Sequence, residues 1–418
     1  MRPPLQIMTS LLSHANLEGT ALSSLFFLAM LFYLMTAKFN EDRKLKMVFA
    51  IGFVVRCLIV VLDQSLLLFP YGWDDYYSTA LILKSNILHG YPLLENITES
   101  MHVWSYALFS AFFYTIFGDH QILMRLINAF LSVLAAERLY HLSLELTDDH
   151  KISRIASTIM IFFPSFIVYG TLDMRDALLL FLSMDLLLRV IRFINDKKVI
   201  WTVFIIELLL TFFLRNQNII LFSGIFLTYL LILIVSKTNK ARRLIYLSLI
   251  TLVLAAVFIQ LDRSNFFDLL LDYIKRDMRY RASFGGSSYL THLDYTSWSD
   301  IFHWMPIRFV YFVFGPFPWM IGNIFMVYAF VEVLFFIFCC YLSLTRTARS
   351  TALQKPDVLY FLLCYAFIGL LGNAVIDSNF GTAIRHRLNY IFVFFILAAI
   401  PLAKQYRGIG RLINPEKS

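Results

Sequence analysis

Two adjacent aspartates stand at the end of a long apolar run in this sequence. Asp74 and Asp75 follow Met47–Phe69, within the stretch YGWDDYY at 71–77. A carboxylate can take the proton of a hydroxyl group as a general base, and a charged group this close to a bilayer must be solvated or used. Aromatic neighbours such as Trp73 are also ordinary interface anchors. The aspartate pair alone is therefore equally compatible with a helix end that has no chemical role. Other polar residues on the same side of the membrane favour the chemical interpretation.

Composition assigns the chain to the polytopic α-helical membrane proteins. Of its 418 residues 59% are apolar and 15% are charged, and the mean hydropathy is +0.70. A soluble domain is about 25% charged. Many hydrophobic runs approach the length of a bilayer crossing. Each cysteine lies inside an apolar run, which argues against a disulfide framework or a zinc site. The cysteines are Cys57, Cys339, Cys340 and Cys364.

Lys and Arg in short loops assign the sides of the membrane. Lys38–Lys46 is basic and is therefore predicted to be cytoplasmic, so Met47–Phe69 returns outward and carries Asp74 and Asp75 to the extracytoplasmic face. We predict one transmembrane domain over residues 1–418, with about eleven spans, the N-terminus outside and the C-terminus inside. The spans are Ala21–Ala37, Met47–Phe69, Ile122–Leu146, Ile155–Leu172, Ala177–Ile194, Val199–Leu214, Ile219–Ser236, Leu244–Leu261, Asn323–Leu344, Val358–Gly372 and Leu388–Ala403.

Two longer segments fall outside the membrane in this topology. The first outer loop, residues 71–121, holds Tyr76–His89 and Val103–Phe117, both shorter than the roughly 20 residues of a span. We predict that both are interfacial helices, because a crossing at Val103–Phe117 would turn the basic loops outward. The second, residues 262–322, is a basic outer loop, which opposes the orientation rule and suggests an anionic partner. Its acidic residues also allow a solvated amphipathic helix, and Phe309–Met320 is too broken by proline for a clean span.

Polar residues gather on the predicted outer face. Short turns need only Gly, Asn or Ser, whereas Arg binds phosphate through a planar fork. Each Arg or Asp taken alone could equally be a structural pair between helices. The collection, however, suits displacement of a phosphate or pyrophosphate leaving group, with a carboxylate as general base. The candidate substrate-binding residues are Lys84, His89, Arg125, Asp173, Arg175, Asp176, Arg215, Arg279, Arg281, Arg385, His386 and Arg387.

Several nucleotide-binding and hydrolytic motifs are missing from the sequence. It contains no Walker loop, no Gly-x-Gly-x-x-Gly followed by a strand, no His-Glu-x-x-His and no Gly-x-Ser-x-Gly. Every predicted cytoplasmic loop is too short to form a nucleotide-using domain. A sugar donor would therefore be carried by a lipid and reached from the membrane.

With these residues in view, the first half of the chain resembles the GT-C superfamily of polyprenyl-phosphate-dependent glycosyltransferases. This superfamily includes the protein O-mannosyltransferases and the aminoarabinose lipid A transferases. The matching pattern covers roughly residues 70–190: an acidic pair after an early span, helices ending at Gly90 and Gly118, Arg125 opening a span, and Pro164 within a span that precedes Asp173–Asp176. The stretch GTAIRHR at 381–387 also resembles the Arg-bearing element before the last span in small bacterial members.

The resemblance implies a fold, a reaction and partners. It implies that Asp74 or Asp75 is the catalytic base, and that Arg and Lys on the outer face bind an undecaprenyl- or dolichyl-linked sugar donor. The expected activity is transfer to a glycan, lipid or protein acceptor with inversion at the anomeric carbon, by a multi-pass protein of the bacterial cytoplasmic membrane. No nucleic acid partner is expected. No cofactor is required. Binding of a divalent metal ion by the carboxylates stays an open alternative.

Three other interpretations remain. A polysaccharide polymerase or ligase similar to the Wzy-type O-antigen polymerases would use a polyprenyl-pyrophosphate oligosaccharide and depend on the basic outer loop rather than on Asp74 and Asp75. A transporter of lipid-linked sugars would need charged residues along a mid-membrane path and, often, internal repeats; the sequence shows no repeat and few mid-span charges. A scaffold would not explain the polar turns on one face. The mid-span charges are Arg56, Glu137, Arg138, Asp185, Glu207 and Glu332.

Overall fold

The computed structural model describes residues 17–36, 43–66, 74–195, 197–215, 265–283, 286–352 and 354–413. These residues form fifteen α-helices and one short 3-10 helix, and their one β-type pairing is an isolated bridge between Ser288 and Asn379. The predicted all-α fold is confirmed for this part of the chain. Two of the predicted spans, Ile219–Ser236 and Leu244–Leu261, lie outside the described residues, so the total of eleven spans stays a prediction.

Nine helices lie between residues 17 and 214. They are α1 (Leu17–Thr36), α2 (Arg43–Leu66), α3 (Asp74–His89), α4 (Met101–Phe117), α5 (Gln121–Thr147), α6 (His150–Phe162), α7 (Pro164–Thr171), α8 (Asp176–Ile194) and α9 (Trp201–Leu214). Six more follow among the described residues of the C-terminal half. They are α10 (Phe266–Ser283), α11 (Trp298–Phe314), α12 (Ile324–Ser343), α13 (Arg346–Ala352), α14 (Pro356–Ile376) and α15 (Phe380–Ile413).

The chain divides into two compact units, which are described separately below. Unit 1 comprises Met1–Leu144, Ser153–Arg189 and Val199–Asn216. Unit 2 comprises Glu145–Ile152, Val190–Lys198 and Gln217–Ser418. The single transmembrane domain expected for residues 1–418 is not tested by this division and stays a prediction.

Four of the described helices are long and apolar enough to cross a membrane. These stretches are Arg43–Gln64, Ile324–Ser343, Pro356–Ile376 and Phe380–Gln405. Shorter apolar helices lie at Leu22–Thr36 and Trp201–Leu214. The predicted spans Ile122–Leu146 and Ala177–Ile194 are present as α5 and α8, but both helices carry several charged side chains.

The predicted span Ile155–Leu172 is broken in the middle. Its residues form α6 and α7, which together are apolar enough for one span but meet at an angle of 59°. Pro164 is the first residue of α7. Proline has no backbone N–H and its ring clashes with the carbonyl four residues earlier, which favours a break of the helix at this position.

The two predicted interfacial helices are present as α3 and α4, and they pack against each other. Ala80 and Leu83 of α3 meet Ala107 and Ala111 of α4, and all four side chains are fully buried. Small alanines allow close approach of the two helices, so the first outer loop is a helical hairpin rather than an open loop. Its depth in the membrane stays a prediction.

The segment predicted as a basic outer loop contains two helices, α10 and α11. The sequence pattern does not predict α11, which tolerates Pro306 in its interior. Helix α11 ends at Phe314, directly before the Gly315–Pro316 pair. The chain then continues into the 3-10 helix Pro318–Met320. The prediction that Phe309–Met320 is too broken for a clean span agrees with this ending.

Helix ends predicted to be cytoplasmic meet within unit 2. The ammonium group of Lys355, just before α14, lies 2.7 Å from a carboxylate oxygen of Asp148 and donates to the backbone carbonyl of Glu145. The Lys197 ammonium lies 2.7 Å from the Glu145 carboxylate. Three predicted cytoplasmic loops therefore share one end of the helices that carry them, as the side assignment requires.

Most of the mid-span charges of unit 1 form one continuous network with Arg189, whereas Arg56 donates to the carbonyl of Gly52. Arg189 of α8 donates to both oxygens of Glu207 at 2.8 and 3.0 Å, and to Asp185 at 2.6 Å. Arg138 of α5 lies 2.5 Å from the other Asp185 oxygen and 2.9 Å from Glu137. The network thus ties α5, α8 and α9 together, and its charges are largely compensated among themselves.

We expect Arg189→Met to destabilise unit 1 strongly, because it leaves the buried carboxylate of Glu207 without its cation. Removing one partner of a buried ion pair typically costs about 3–5 kcal/mol, whereas replacing both with apolar groups is often near neutral. The measurement is the free energy of unfolding in detergent for Arg189→Met, Arg189→Met/Glu207→Met and the exposed control Arg349→Met. A single variant as stable as the control, or a double variant worse than the single, would contradict this account.

Candidate active site

A short turn between α7 and α8 is the centre of the polar cluster in unit 1, and α5 holds it in place. Asn128 of α5 donates through its side-chain amide to the carbonyls of Leu172 at 2.7 Å and Met174 at 3.0 Å. Arg125, one turn earlier, donates from Nε to the carbonyl of Thr171 at 2.9 Å. A buried carbonyl without a donor is costly. These two side chains therefore add to the turn's own backbone hydrogen bond, in which the N–H of Met174 donates to the carbonyl of Leu172.

Asp173, a predicted site residue, is the carboxylate that this turn presents. Its two oxygens accept hydrogen bonds from the hydroxyls of Tyr106 at 3.0 Å and Tyr114 at 3.1 Å, both in α4. The residue is 1% exposed. Burial raises the pKa of Asp173 from its ordinary 3.8 to about 6, although the tyrosine hydrogen bonds and the charge of Arg125 act in the opposite direction.

The same tyrosines connect Asp173 to the helix that begins with the predicted catalytic pair. Tyr76 meets the ring of Tyr106 edge-on with centroids 5.4 Å apart, and Tyr77 meets Tyr114 in the same way at 5.7 Å. Tyr76 and Tyr77 directly follow Asp75. The Asp173 carboxylate and the start of α3 are therefore linked through two separate tyrosine pairs, Tyr106 with Tyr76 and Tyr114 with Tyr77.

Asp74 and Asp75 are the first two residues of α3. Their side chains lie outside the described residues. What the structure establishes is the place of their backbone, at the N-terminus of a helix that packs against the tyrosine-bearing α4. The assignment of either residue as the catalytic base stays a prediction.

Arg125, the predicted residue at the start of the third span, forms a buried ion pair. Its Nη2 lies 2.5 Å from a carboxylate oxygen of Asp63 in α2, and both side chains are 7% exposed. Sequence reasoning did not select Asp63. The available signal is an acidic residue within the predicted span Met47–Phe69, which is unusual in a membrane helix and implies a partner.

Arg175, Asp176 and Arg215 lie beside the turn. Arg175 donates from Nη1 to the carbonyl of Leu214 at 2.8 Å and, at 3.3 Å, to that of His102. Asp176 is the first residue of α8, where an acidic side chain interacts favourably with the helix dipole. Arg215 directly follows the last residue of α9, and its backbone N–H donates to Thr211. The structure thus gathers these predicted residues in unit 1, where two buried arginines, Arg125 and Arg175, serve backbone carbonyls at helix ends.

Lys84 and His89 lie on α3, further from the Asp173 turn in sequence than Arg125 is. The Lys84 ammonium is 2.7 Å from a carboxylate oxygen of Asp119. His89 contacts the Ser85 carbonyl through Nδ1 at 2.8 Å, and its ring stacks on Tyr91 with centroids 5.9 Å apart. The Lys84 contact links α3 to the residue pair that follows α4, whereas the His89 contacts are local to the end of α3. Their role in substrate binding is not tested by this geometry.

Unit 2 contains a second polar cluster, formed by predicted residues from two distant segments. Arg281 at the end of α10 pairs with the carboxylates of Asp277 and Asp377. His386 of α15 lies 2.7 Å from the other oxygen of Asp377 through Nδ1. Burial alone would raise the pKa of Asp377, but the charges of His386 and Arg281 outweigh it and hold this pKa below its usual range.

The backbone holds these two segments together. Tyr289 donates its N–H to the carbonyl of Ser378 at 2.9 Å, and Phe380 donates to the carbonyl of Ser287 at 3.0 Å. The rings of Tyr289 and Phe380 stack with centroids 4.5 Å apart. The part of the basic outer loop around residues 287–289 is therefore anchored to the segment that precedes α15.

The other predicted residues of unit 2 differ in environment. Arg279 pairs with Asp294 on the surface. Arg387 is buried and donates to the carbonyls of Val313 at 3.1 Å and Gly315 at 2.9 Å. Arg385 is partly buried. The structure thus brings Arg281 and His386 into one cluster and places Arg279 and Arg387 in other contacts.

A metal ion at the carboxylates remains an open expectation. In the part of the chain that the structure describes, no group of three or more His, Cys, Asp or Glu side chains is arranged to hold one. The side chains of Asp74 and Asp75 are not part of this description.

One comparison with known proteins bears on this site. Residues 105–201 match the family model described as dolichyl-phosphate-mannose-protein mannosyltransferase. This match confirms the resemblance to the GT-C superfamily. The matched segment contains Tyr106, Tyr114, Arg125 and the whole turn around Asp173. No curated protein and no solved structure matches the chain significantly. Together with the apolar helices, the match supports an integral membrane glycosyltransferase.

We expect the ionisation of Asp173 to give a measurable pH dependence of stability. Its folded-state pKa of about 6 lies above the ordinary 3.8, so the folded protein holds this proton more tightly than the unfolded chain. Stability from this group is therefore greatest below pH 3.8 and falls as the pH rises towards about 6, by roughly 3 kcal/mol in all.

Thermal unfolding in detergent between pH 4 and 7 tests this expectation on the unchanged protein and Asp173→Asn. Asparagine keeps the shape of the side chain but does not titrate in this range. The difference in unfolding temperature between the two proteins should shift in favour of Asp173→Asn as the pH rises. A difference that is constant with pH would show that Asp173 does not titrate with a raised pKa.

Proposed function

We propose that this protein transfers a sugar from a polyprenyl-phosphate donor to an acceptor hydroxyl at the extracytoplasmic face of a membrane. The observation that carries the proposal is that the mannosyltransferase-family match falls on the segment that builds the buried Asp173 cluster. The donor lipid follows from the family description and from the absence of a nucleotide-binding motif in the sequence. The sugar is left unspecified, and the acceptor is a glycan, a lipid or a protein.

The proposed reaction is a single displacement at the anomeric carbon. The acceptor oxygen forms a bond to that carbon while the bond to the donor phosphate oxygen breaks, and the phosphate leaves with the electron pair. The proton of the acceptor hydroxyl passes to the carboxylate of Asp74 or Asp75. Attack opposite the leaving group inverts the configuration. Lys and Arg side chains at this face stabilise the negative charge that develops on the departing phosphate.

Asp173 is assigned a positioning role. It is 1% exposed and already bound to two tyrosine hydroxyls, so its environment suits holding neighbours rather than taking a proton from substrate. Through Tyr106 and Tyr114 it supports Tyr76 and Tyr77, the residues that follow the aspartate pair. A general base must be placed within hydrogen-bond reach of the hydroxyl it deprotonates, so small shifts at the start of α3 affect the rate.

We expect Asp74→Asn or Asp75→Asn to lower turnover by about 100- to 10,000-fold, the usual contribution of a general base. The assay measures consumption of radiolabelled polyprenyl-phosphate sugar by the purified protein in detergent. Asp357→Asn is the matched control, because Asp357 is exposed in the first turn of α14. If both site variants turn over at the control rate, the base assignment is wrong.

A parallel assay with a polyprenyl-pyrophosphate oligosaccharide distinguishes the polymerase alternative. Consumption of this donor alone, unaffected by the Asp74 and Asp75 changes, would favour a polymerase that depends on the basic outer loop. If neither donor is consumed, the remaining interpretations are a transporter of lipid-linked sugars and a scaffold.

We expect Tyr114→Phe and Tyr106→Phe to lower kcat about tenfold while leaving KM for the donor nearly unchanged. Each change removes one hydrogen bond to the Asp173 carboxylate, a loss of about 1–2 kcal/mol, without removing the ring that supports α3. Tyr360→Phe, at an exposed position of α14, is the control. An unchanged kcat accompanied by a lower unfolding temperature would show that the two hydroxyls act only on folding.

A further inference from the structure

Helix α10 in unit 2 has two separate apolar faces. One face is buried and carries Leu271, Ile274 and Met278, which pack in a cluster with Tyr295 and Ile301. This face explains why Phe266–Ser283 is helical within a segment whose composition predicts a polar loop. It does not account for the other large apolar residues of the same helix.

A second stripe of large apolar side chains is exposed. Phe266, Leu269, Tyr273 and Tyr280 are 41%, 65%, 44% and 63% exposed. Their spacings of three, four and seven residues place them on one side of a helix. Most charged residues lie on the arc of the helix between this stripe and the buried face. They are Asp268, Asp272, Lys275, Arg276 and Arg279.

The position of α10 within unit 2 indicates which surroundings this exposed stripe faces. Val375 and Ile376, the last two residues of α14, pack against the buried cluster of α10. Helix α14 is one of the helices long and apolar enough to cross a membrane. Arg281 of α10 pairs with Asp377, the residue immediately after that helix. Helix α10 therefore lies at the level where a membrane-crossing helix ends.

We infer that α10 lies in the plane of the membrane surface, with its exposed stripe inserted among the lipids. Tyrosine and phenylalanine are favoured at the boundary between headgroups and acyl chains, where the ring is apolar and the hydroxyl stays hydrated. An amphipathic helix at a membrane surface typically sinks its apolar stripe about 5–10 Å into this boundary and keeps its charged side chains in water; on α10 the charged residues flank the stripe. Arg276, beside the stripe, is placed to meet lipid phosphates. The inference concerns the lipid surface and does not depend on the transfer reaction.

Spin labels at single cysteines test this placement in lipid nanodiscs. Leu269→Cys and Tyr273→Cys report the stripe, and Asp272→Cys is the matched control on the charged face of the same helix. Cys340 and Cys364 are replaced, while the buried Cys57 and Cys339 are kept to preserve folding. The parent protein without an engineered cysteine shows whether the retained thiols are labelled.

We expect labels at 269 and 273 to be relaxed more by oxygen, which concentrates in lipid, than by a water-soluble nickel complex, and the label at 272 to show the reverse. Equal access of the nickel complex to all three positions would show a helix in water and overturn the inference. Low access of both reagents at 269 and 273 would show that protein covers the stripe, either another part of this chain or a second copy, and would overturn it equally. Hydrogen exchange of the unmodified protein adds an independent check: α10 amides should be better protected in nanodiscs than in a short-chain detergent.

Discussion

The burial of one carboxylate controls the organisation of unit 1. Asp173 is enclosed in the turn between α7 and α8, and an enclosed carboxylate must be supplied with hydrogen bonds from its neighbours. The hydroxyls of Tyr106 and Tyr114 supply them from α4. That requirement fixes the distance from the turn to α4, and α4 in turn fixes α3 through the two aromatic pairs. The first residues of α3, which carry the proposed catalytic pair, are thereby placed by a residue about a hundred positions later in the chain.

Arginine has a structural task in this protein that its charge alone does not suggest. Arg125 and Arg175 in unit 1 donate to carbonyls at helix ends and turns. Arg308 in unit 2 does the same, donating to the carbonyls of Ala374 and Asp377, and Arg387 donates to two carbonyls at the end of α11. Carbonyls at broken or ending helices have no intrahelical donor, and a guanidinium carries five donors in a fixed geometry. A carbonyl does not neutralise the charge, and in two of these arginines a buried carboxylate does so: Arg125 pairs with Asp63 and Arg387 with Glu332.

The sequence predicts the helices of this protein better than it predicts their partners. The predicted span Asn323–Leu344 corresponds to α12 nearly to the residue, because Asn323 accepts the N–H of Met326 and caps the helix. The predicted span Ile155–Leu172 runs through Pro164 and misses the break there, although a proline inside a helical pattern is a signal for one. Tyr106 and Tyr114 were not singled out, since a tyrosine in an apolar helix is as typical of an interface anchor as of a buried donor. Which role it has depends on a carboxylate far away in the sequence, and only the folded chain brings the two together.

The aspartate pair begins a helix, whereas Asp173 is buried in a turn, and this difference supports the proposed division of roles. Asp74 and Asp75 occupy the first turn of α3, where the partial positive charge of a helix N-terminus favours the ionised form. A general base must be ionised before it can accept a proton. Burial has the reverse effect on Asp173 and raises its pKa to about 6. When the environments of two acidic groups push their ionisation apart, their roles usually differ as well. This difference agrees with the proposal that Asp173 holds the tyrosines and that proton transfer belongs to the pair at the start of α3.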